Sequence, residues 1–179
     1  MRVLIIGASG LVGGNAFRYF KDHGKHEVLG TYRSFPVEGC VFFDPFDSIS
    51  IDLAEKFQPQ VIIHTGGWTY VDGCEQDPEK SYRENVEATK IIIQLAKKLN
   101  AKFVYTSTDY VFDGENGPYR EEDEVNPINV YGKHKLQSEN IIKAQLADYL
   151  ILRITNVYGD EVRNKNFVAR ILNQIKESD

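Results

Sequence analysis

Short apolar runs alternate with longer amphipathic stretches along most of the chain. The apolar runs are rich in valine and isoleucine and predict strands at 2–6, 27–31, 41–43, 61–64, 102–106 and 149–154. The amphipathic stretches predict helices that begin near residue 11 and cover 47–57, 79–99, 131–146 and 167–175. Strands that alternate with helices predict an α/β fold with a doubly wound parallel sheet in the order 3-2-1-4-5-6. Ligands bind such sheets beyond the carboxyl ends of the strands.

The length and the apolar content set the number of domains. The chain has 179 residues, of which 42% are hydrophobic, which is enough to bury one substantial core. We therefore predict a single domain over residues 1–179.

Three glycines spaced three apart follow the first predicted strand directly. Gly7, Gly10 and Gly13 separate that strand from an amphipathic stretch, so they predict a tight turn that leads into a helix. The first turn of a helix presents unpaired N–H groups and the positive end of the helix dipole, which together bind phosphate. The segment predicts a Rossmann-type dinucleotide site with contacts from Gly7, Ser9, Gly10, Leu11, Val12 and Gly13.

A tyrosine and a lysine four residues apart follow a long polar loop over 110–130. Tyr131 and Lys135 share one face of a predicted helix, so both side chains can reach the same ligand. A phenol has a pKa of about 10, and a nearby positive charge lowers that pKa by stabilising the phenolate. Thr108, at the end of the fifth strand, can orient a carbonyl while Tyr131 gives its oxygen a proton and a hydride reaches its carbon.

The charge balance favours a small-molecule function. A net charge of −5 and a pI near 5.4 argue against a surface for nucleic acid or anionic membranes. No apolar run approaches the roughly 20 residues of a membrane helix, and no signal peptide is evident, so we expect a cytoplasmic protein. Cys40 and Cys74 are expected to be free thiols. The acidic run 121–124 is read as a solvated loop face, and no metal-ligand cluster is predicted.

Four blocks of the sequence carry a resemblance to a known family. They are Gly7-x-x-Gly10-x-x-Gly13, Ser107-Thr108-Asp109-Tyr110-Val111-Phe112-Asp113-Gly114, Asn126-Pro127-Ile128-Asn129-Val130-Tyr131-Gly132-Lys133-His134-Lys135 and Leu152-Arg153-Ile154-Thr155-Asn156-Val157-Tyr158-Gly159. The chain resembles the extended short-chain dehydrogenases/reductases, and most closely the dTDP-4-dehydrorhamnose reductase branch. The resemblance implies reduction of a 4-keto group on a nucleotide-linked deoxysugar by a nicotinamide cofactor, in dTDP-rhamnose biosynthesis.

The resemblance also implies roles for single residues. Thr108 would align the keto oxygen, Tyr131 would donate the proton, and Lys135 would lower the tyrosine pKa and bind the nicotinamide ribose. Asp109 would hold the substrate sugar and Asn85 would lie near the cofactor. Asp44 would contact the adenine. After the fourth strand His64-Thr65-Gly66-Gly67 replaces the family's Asn-Ala-Ala-like run, where the backbone of Gly66 would still contact the cofactor.

The second strand indicates which cofactor is preferred. Sites for NAD place an acidic residue about 20 residues beyond the glycines, whereas sites for NADP use an arginine. Here Arg33 follows that strand and no acid does, so we expect NADP(H) to be preferred, with NAD(H) also compatible. A solvated loop cation is the alternative for Arg33.

Two features leave the function open. Asn156 lies in a block that equally resembles sugar-nucleotide epimerases and dehydratases, where it would contact the substrate phosphates. Some relatives with this fold bind NADP as regulatory subunits of methionine adenosyltransferase and catalyse nothing. Family members usually continue roughly a hundred residues further, so we expect most of the C-terminal substrate domain to be absent. A homodimer is left open.

Overall fold

The computed structural model describes residues 1–160 and 166–176. Its strands are β1 (Arg2–Ile6), β2 (Glu27–Tyr32), β3 (Cys40–Phe42), β4 (Val61–His64), β5 (Lys102–Thr108) and β6 (Tyr149–Ile154). They form one sheet in the order β3-β2-β1-β4-β5-β6, which confirms the predicted order. The pairs β1–β2, β1–β4, β2–β3 and β5–β6 are all parallel.

The helices account for most of the remaining described chain. They are α1 (Leu11–Asp22), α2 (Ser48–Phe57), α3 (Val71–Gln76), α4 (Pro78–Tyr82), α5 (Ala88–Leu99), α6 (Val130–Gln145) and α7 (Phe167–Lys176). A π-helical turn, Arg83–Glu87, joins α4 to α5, and a 3-10 turn, Asp109–Val111, follows β5. Among the described helices, none has both the length and the apolar character needed to cross a bilayer.

The described chain divides into two compact units. The first contains Met1–Gly66 together with the residues from Asn156 onward, and the second contains Gly67–Thr155. The first unit therefore includes the glycine-rich turn, and the second includes the threonine, tyrosine and lysine expected to carry out catalysis.

The core of the first unit forms where α1 packs on the strands. Val3 and Ile5 of β1 are completely buried and join Ala8 and Phe17 in one apolar cluster. Phe17 fits against Gly30 of β2, where a Cβ would lie 2.7 Å from the ring. A glycine in the strand thus allows the aromatic ring to approach the backbone.

The second unit is organised around α5, α6 and β5. Ile92 and Ile93 of α5, Phe103 of β5 and Ile142 of α6 are all completely buried. Asn129 caps α6, because its side-chain oxygen accepts a hydrogen bond from the Gly132 N–H at 2.7 Å. The cap fixes the start of the helix one residue before Tyr131.

Most elements lie within one residue of their predicted bounds, and three differ by more. β5 extends two residues further than 102–106, so Ser107 and Thr108 are in the strand, paired with Arg153 and Ile154 of β6. The predicted helix 79–99 is interrupted by the π-helical turn. α3 was not predicted, because a six-residue helix is too short to show helical periodicity.

Candidate active site

The glycine-rich loop turns sharply between β1 and α1. Gly7 has a φ of +90°, which glycine adopts at no steric cost, and its carbonyl accepts a hydrogen bond from the Gly10 N–H at 3.0 Å. α1 begins one residue later, at Leu11. The N–H groups of its first turn have no acceptor within the helix, so this end of α1 is suited to a phosphate group.

The three glycines of the loop have different surroundings. A Cβ on Gly13 would lie 2.4 Å from the Gly7 carbonyl oxygen, and a Cβ on Gly7 would lie 2.8 Å from the Gly66 nitrogen. Protein atoms therefore fill the space beside both residues. Among the described residues, a Cβ on Gly10 would approach only the Gly7 oxygen, at 3.4 Å. Gly10 is the position where the missing side chain leaves room for a ligand.

The other predicted loop contacts lie in the same turn. Ser9, Leu11 and Val12 are half-buried. Gly66 lies two residues after the end of β4 and is also half-buried, and the neighbouring Thr65 hydroxyl donates a hydrogen bond to the Ile6 carbonyl at 2.9 Å. The structure thus brings Gly66 to the glycine-rich loop, as the predicted cofactor site requires.

Arg33 and Asp44, which were predicted separately as cofactor residues, form an ion pair. Arg33 Nε lies 3.2 Å from Asp44 Oδ2, and the guanidinium lies over the Phe46 ring at 5.7 Å. The other Asp44 oxygen accepts a hydrogen bond from the Phe46 N–H at 3.1 Å. The Arg33 side chain is therefore positioned by Asp44 and Phe46, whereas a solvated loop cation would lack such partners.

Thr108 ends β5 and caps the 3-10 turn that follows. Its hydroxyl accepts a hydrogen bond from the Tyr110 N–H at 3.2 Å and donates one to the Asp109 carboxylate at 3.1 Å. Asp109 itself is exposed. The hydroxyl oxygen is thus fixed by the backbone, and a substrate carbonyl could accept the proton that Asp109 accepts here.

Tyr131 and Lys135 are both buried on one face of α6. Tyr131 is 8% exposed and Lys135 is 5% exposed. The Lys135 ammonium donates a hydrogen bond to the Thr106 carbonyl at 2.7 Å and lies 4.0 Å from the centre of the Tyr105 ring. The Tyr131 ring packs edge-on against Tyr110, with ring centres 6.2 Å apart. Both residues therefore face the end of β5 that holds Thr108.

A close approach between the start of α6 and the 3-10 turn allows this packing. A Cβ on Gly132 would lie 2.1 Å from the Tyr110 carbonyl oxygen, so any larger residue at this position would push the helix away. The Val130 N–H also donates a hydrogen bond to Glu75 at 2.5 Å, which ties the first turn of α6 to α3.

Burial determines how these two groups titrate. Burial raises the pKa of the Tyr131 phenol above its ordinary value, and the Lys135 charge only partly offsets this rise. Burial lowers the pKa of Lys135 to about 8, although Tyr131 and Glu139 act in the opposite direction. The sequence predicted that Lys135 lowers the tyrosine pKa, and its charge does act in that direction; the net pKa is nevertheless raised, because removing the phenolate from water outweighs the attraction of the lysine.

Asn85 is buried at the π-helical turn and supports a loop. Its side-chain oxygen accepts a hydrogen bond from the Trp68 N–H at 2.9 Å, and its amide nitrogen donates to the Trp68 carbonyl at 3.1 Å. A Cβ on Gly67 would lie 2.7 Å from the same oxygen. These contacts direct the Asn85 carboxamide to the backbone of the loop after β4.

The sequence reasoning missed two charged residues, Glu139 and Arg153. Glu139 follows Lys135 by one helical turn and is completely buried, and Arg153 lies in β6. Arg153 Nη2 donates to Glu139 Oε2 at 2.8 Å, and the Ser107 hydroxyl donates to Oε1 at 2.6 Å. An arginine within an apolar strand, together with a glutamate on the Tyr131–Lys135 helix face, was the signal available in the sequence.

Asn156, predicted to bind substrate phosphates, comes two residues after β6 and is exposed. His134 on α6 is half-buried, and its Nδ1 lies 2.8 Å from the Ser81 hydroxyl. The small Ser81 hydroxyl on α4 thus gives the imidazole a structural partner.

The protein has a Rossmann-type α/β fold, with a parallel sheet and a glycine-rich turn. Its threonine, buried tyrosine and buried lysine are the residues typical of short-chain dehydrogenases/reductases. Residues 1–179 match the family described as RmlD substrate binding domain, and the chain belongs to that family.

Three similar proteins show how this family varies. The beta subunit of methionine adenosyltransferase 2 from Bos taurus is 36% identical over 96% of this chain and 51% of its own length. A structure described as a hypothetical dTDP-4-dehydrorhamnose reductase from Sulfolobus tokodaii is 41% identical, with a TM-score of 0.81 over 90% of this chain and 58% of its own. The Bacillus anthracis dTDP-4-dehydrorhamnose reductase in complex with NADP is 28% identical, with a TM-score of 0.86 over 98% of this chain and 60% of its own. The chain thus spans about half to three fifths of the length of these proteins.

Proposed function

We propose that the protein reduces a 4-keto group on a nucleotide-linked deoxysugar, with NADPH as the hydride donor. The observation that carries this proposal is the buried pair Tyr131 and Lys135 on α6, packed against the end of β5 where the backbone fixes the Thr108 hydroxyl. A protein that only binds a nucleotide does not need a buried tyrosine and lysine next to a fixed hydroxyl. The reductases among the similar proteins support the same reaction class.

The glycine-rich loop suits the cofactor. The space beside Gly10 and the open first turn of α1 fit a pyrophosphate, with Ser9, Leu11 and Val12 in the same turn. Arg33 would bind the 2′-phosphate of NADP and Asp44 would contact the adenine. The backbone of Gly66 would contact the cofactor, and Lys135 would bind the nicotinamide ribose. A nicotinamide cofactor held by these residues would supply the hydride for the carbonyl carbon.

Tyr131 is suited to donate the proton in this reaction. Because burial raises the pKa of Tyr131, the phenol is protonated at neutral pH and can give its proton to the developing alkoxide. Thr108 would hydrogen-bond the same oxygen and so orient the carbonyl, while Asp109 would bind sugar hydroxyls. The Lys135 charge would stabilise the phenolate left behind, which matters most in the transition state.

The assay for this proposal follows NADPH absorbance with the full-length protein and dTDP-4-dehydrorhamnose. Multiple turnovers of NADPH per protein molecule, dependent on the sugar nucleotide, would support the reductase. The block around Asn156 also resembles sugar-nucleotide epimerases and dehydratases. An enzyme of either kind would convert the sugar without net consumption of NADPH.

A regulatory subunit is the second candidate. The 36% identity to the bovine beta subunit over 96% of the chain favours it. Such a protein would bind NADPH, show no turnover with any 4-keto sugar nucleotide, and change the kinetics of a methionine adenosyltransferase catalytic subunit. The same NADPH assay, with that subunit added in parallel, separates the two functions.

A further inference from the structure

A buried ion pair connects three elements of the second unit. Glu139 on α6 is completely buried, and Arg153 on β6 donates to both of its oxygens, through Nε to Oε1 at 3.1 Å and through Nη2 to Oε2 at 2.8 Å. The Ser107 hydroxyl on β5 donates to Oε1 at 2.6 Å. A carboxylate that accepts three hydrogen bonds in this geometry stays ionised without contact with water.

The same arginine also reaches the long loop after the 3-10 turn. Arg153 Nη1 donates to the Glu121 carbonyl at 3.2 Å, and the guanidinium lies 5.1 Å from the centre of the Phe112 ring. Arg153 is therefore held on several sides, so the charge it places next to Glu139 has a defined position.

Glu139 and Lys135 are four residues apart on α6, so their side chains lie on one face of the helix. Both are buried, and Ser107 and Thr106, which they contact on β5, are neighbours in sequence. Glu139 thus lies one helical turn from Lys135 in a medium of low polarity, where its negative charge acts to raise the pKa of the ammonium group.

We propose that Glu139, fixed by Arg153 and Ser107, is the anion that keeps the buried Lys135 ammonium charged, and that it serves as a positioning residue for the Tyr131–Lys135 pair. The effect of Glu139 on catalysis rests on the proposed function. Its effect on the charge of Lys135 depends only on the folded structure. Glu139 acts through Lys135 and is not itself assigned a contact with a substrate.

The charged and titratable groups around the pair are consistent with this role. Burial alone would raise the pKa of Glu139, but the hydrogen bonds and charges of Arg153, Ser107 and Lys143 outweigh burial and hold that pKa below its ordinary value. Lys135 interacts with Tyr131 and Glu139. Tyr105, Cys74 and Asp109 act on the Tyr131 phenol. Among these groups, Glu139 is the carboxylate that acts on the ammonium of Lys135.

Substitution of Glu139 and substitution of Arg153 should shift the pKa of Lys135 in opposite directions. In Glu139→Gln the anion is lost while the Arg153 cation remains, so the pKa of Lys135 should fall by about one pH unit or more from about 8. In Arg153→Met the anion loses its neutralising partner, so the pKa of Lys135 should rise. Damage to the packing alone would not produce opposite signs.

The measurement is an NMR titration of the Lys135 side-chain ¹³Cε signal in lysine-labelled protein, assigned by its loss in Lys135→Met. Arg153→Lys keeps the positive charge, so the pKa of Lys135 in this variant should remain near that of wild type. Lys143→Gln is the matched control, because Lys143 also pairs with Glu139, at 3.5 Å, but is 45% exposed and well screened. Its effect should be a few tenths of a pH unit at most.

Opposite shifts in Glu139→Gln and Arg153→Met, with the control unchanged, would establish the proposal. Shifts of the same sign, or no shift in Glu139→Gln, would overturn it. The titration needs no turnover, so a protein that shows opposite shifts and yet does not oxidise NADPH would refute the reductase and leave the role of Glu139 intact. In an active enzyme, the pH dependence of kcat/KM should move with the Lys135 pKa.

Discussion

Tyr131 and Lys135 show how burial changes the chemistry of single residues. The spacing of four predicted that both side chains share a helix face, and the structure bears out that placement. Spacing carries no information on burial, however, and burial decides the direction in which both groups titrate. The result is a neutral phenol next to a lysine that is still mostly charged at neutral pH, an arrangement suited to proton donation.

At the same scale, the Arg33–Asp44 pair predicts how the cofactor is chosen. Arg33→Ala should remove most of the preference for NADPH over NADH, because the guanidinium would no longer pair with the 2′-phosphate. Asp44→Asn is the matched variant: it keeps the acceptor for the Phe46 N–H and removes the anion that competes for Arg33. It should increase the preference for NADPH.

The check is a fluorescence titration of both cofactors with each variant. Equal affinities of the unmodified protein for NADPH and NADH would contradict the role given to Arg33. A loss of NADPH preference in Asp44→Asn would contradict the competition between the two anions.

At the scale of elements, the glycine-rich turn separates packing from binding. Gly13→Ala should destabilise the fold by about 2 kcal/mol or more, because its Cβ would lie 2.4 Å from a carbonyl oxygen. Gly10→Ala should cost about 1 kcal/mol or less, because Gly10 has an extended backbone with φ of −92° and little in its way.

Gly10→Ala, which should cost little stability, should have a large effect on nucleotide binding. Gly10→Ala should weaken NADPH binding about tenfold or more, since its methyl group would occupy the space assigned to the pyrophosphate. Urea unfolding and NADPH titration of both variants test this division. A Gly10→Ala protein that binds NADPH as tightly as wild type would place the pyrophosphate elsewhere.

Most elements could be predicted from the sequence, and the exceptions have physical reasons. The strand Val61–His64 and the strand Tyr149–Ile154 were predicted to the residue because apolar runs bounded by polar ones mark strands. The extension of β5 to Thr108 was missed, because Ser107 and Thr108 look polar and their pairing with β6 is a tertiary effect. Helical periodicity located 79–99, but it cannot distinguish a π-helical turn from an α-helix.

Candidate site residues could be predicted from the sequence where short motifs define them. They could not be predicted where contacts with distant parts of the chain place them. Gly7, Gly10, Gly13, Tyr131 and Lys135 follow from motifs in the sequence. The contacts of Asn85 with Trp68 and of Glu139 with Arg153 join residues that are not neighbours in the chain. The sequence marks Glu139 and Arg153 as unusual charges, but no local pattern indicates that they pair with each other.

At the scale of the whole molecule, the buried lysine predicts how stability depends on pH. The pKa of Lys135 is about 8 when folded and about 10.4 when unfolded, so between these values the unfolded chain binds more protons. The free energy of unfolding should therefore rise with pH in that range, by about 2 kcal/mol between about pH 7.5 and 9.5. Above about pH 10 the raised pKa of Tyr131 acts in the opposite direction, because the unfolded tyrosine ionises first.

Urea denaturation of wild type and Lys135→Met across this pH range isolates the contribution of the lysine. The difference between the two proteins should change with pH by about 2 kcal/mol, with Lys135→Met relatively more stable at neutral pH. A difference that stays constant across the range would mean that the folded lysine titrates at its ordinary pKa.

The central claim is that Tyr131 gives the proton in a reduction by NADPH. The most direct measurement is the rate of NADPH oxidation with dTDP-4-dehydrorhamnose by the full-length protein and its Tyr131→Phe variant, with NADPH affinity measured in parallel. We expect turnover to fall by about a hundredfold or more while NADPH affinity changes little, because the variant loses one hydroxyl and keeps the buried ring. Turnover in Tyr131→Phe equal to that of wild type would contradict the claim.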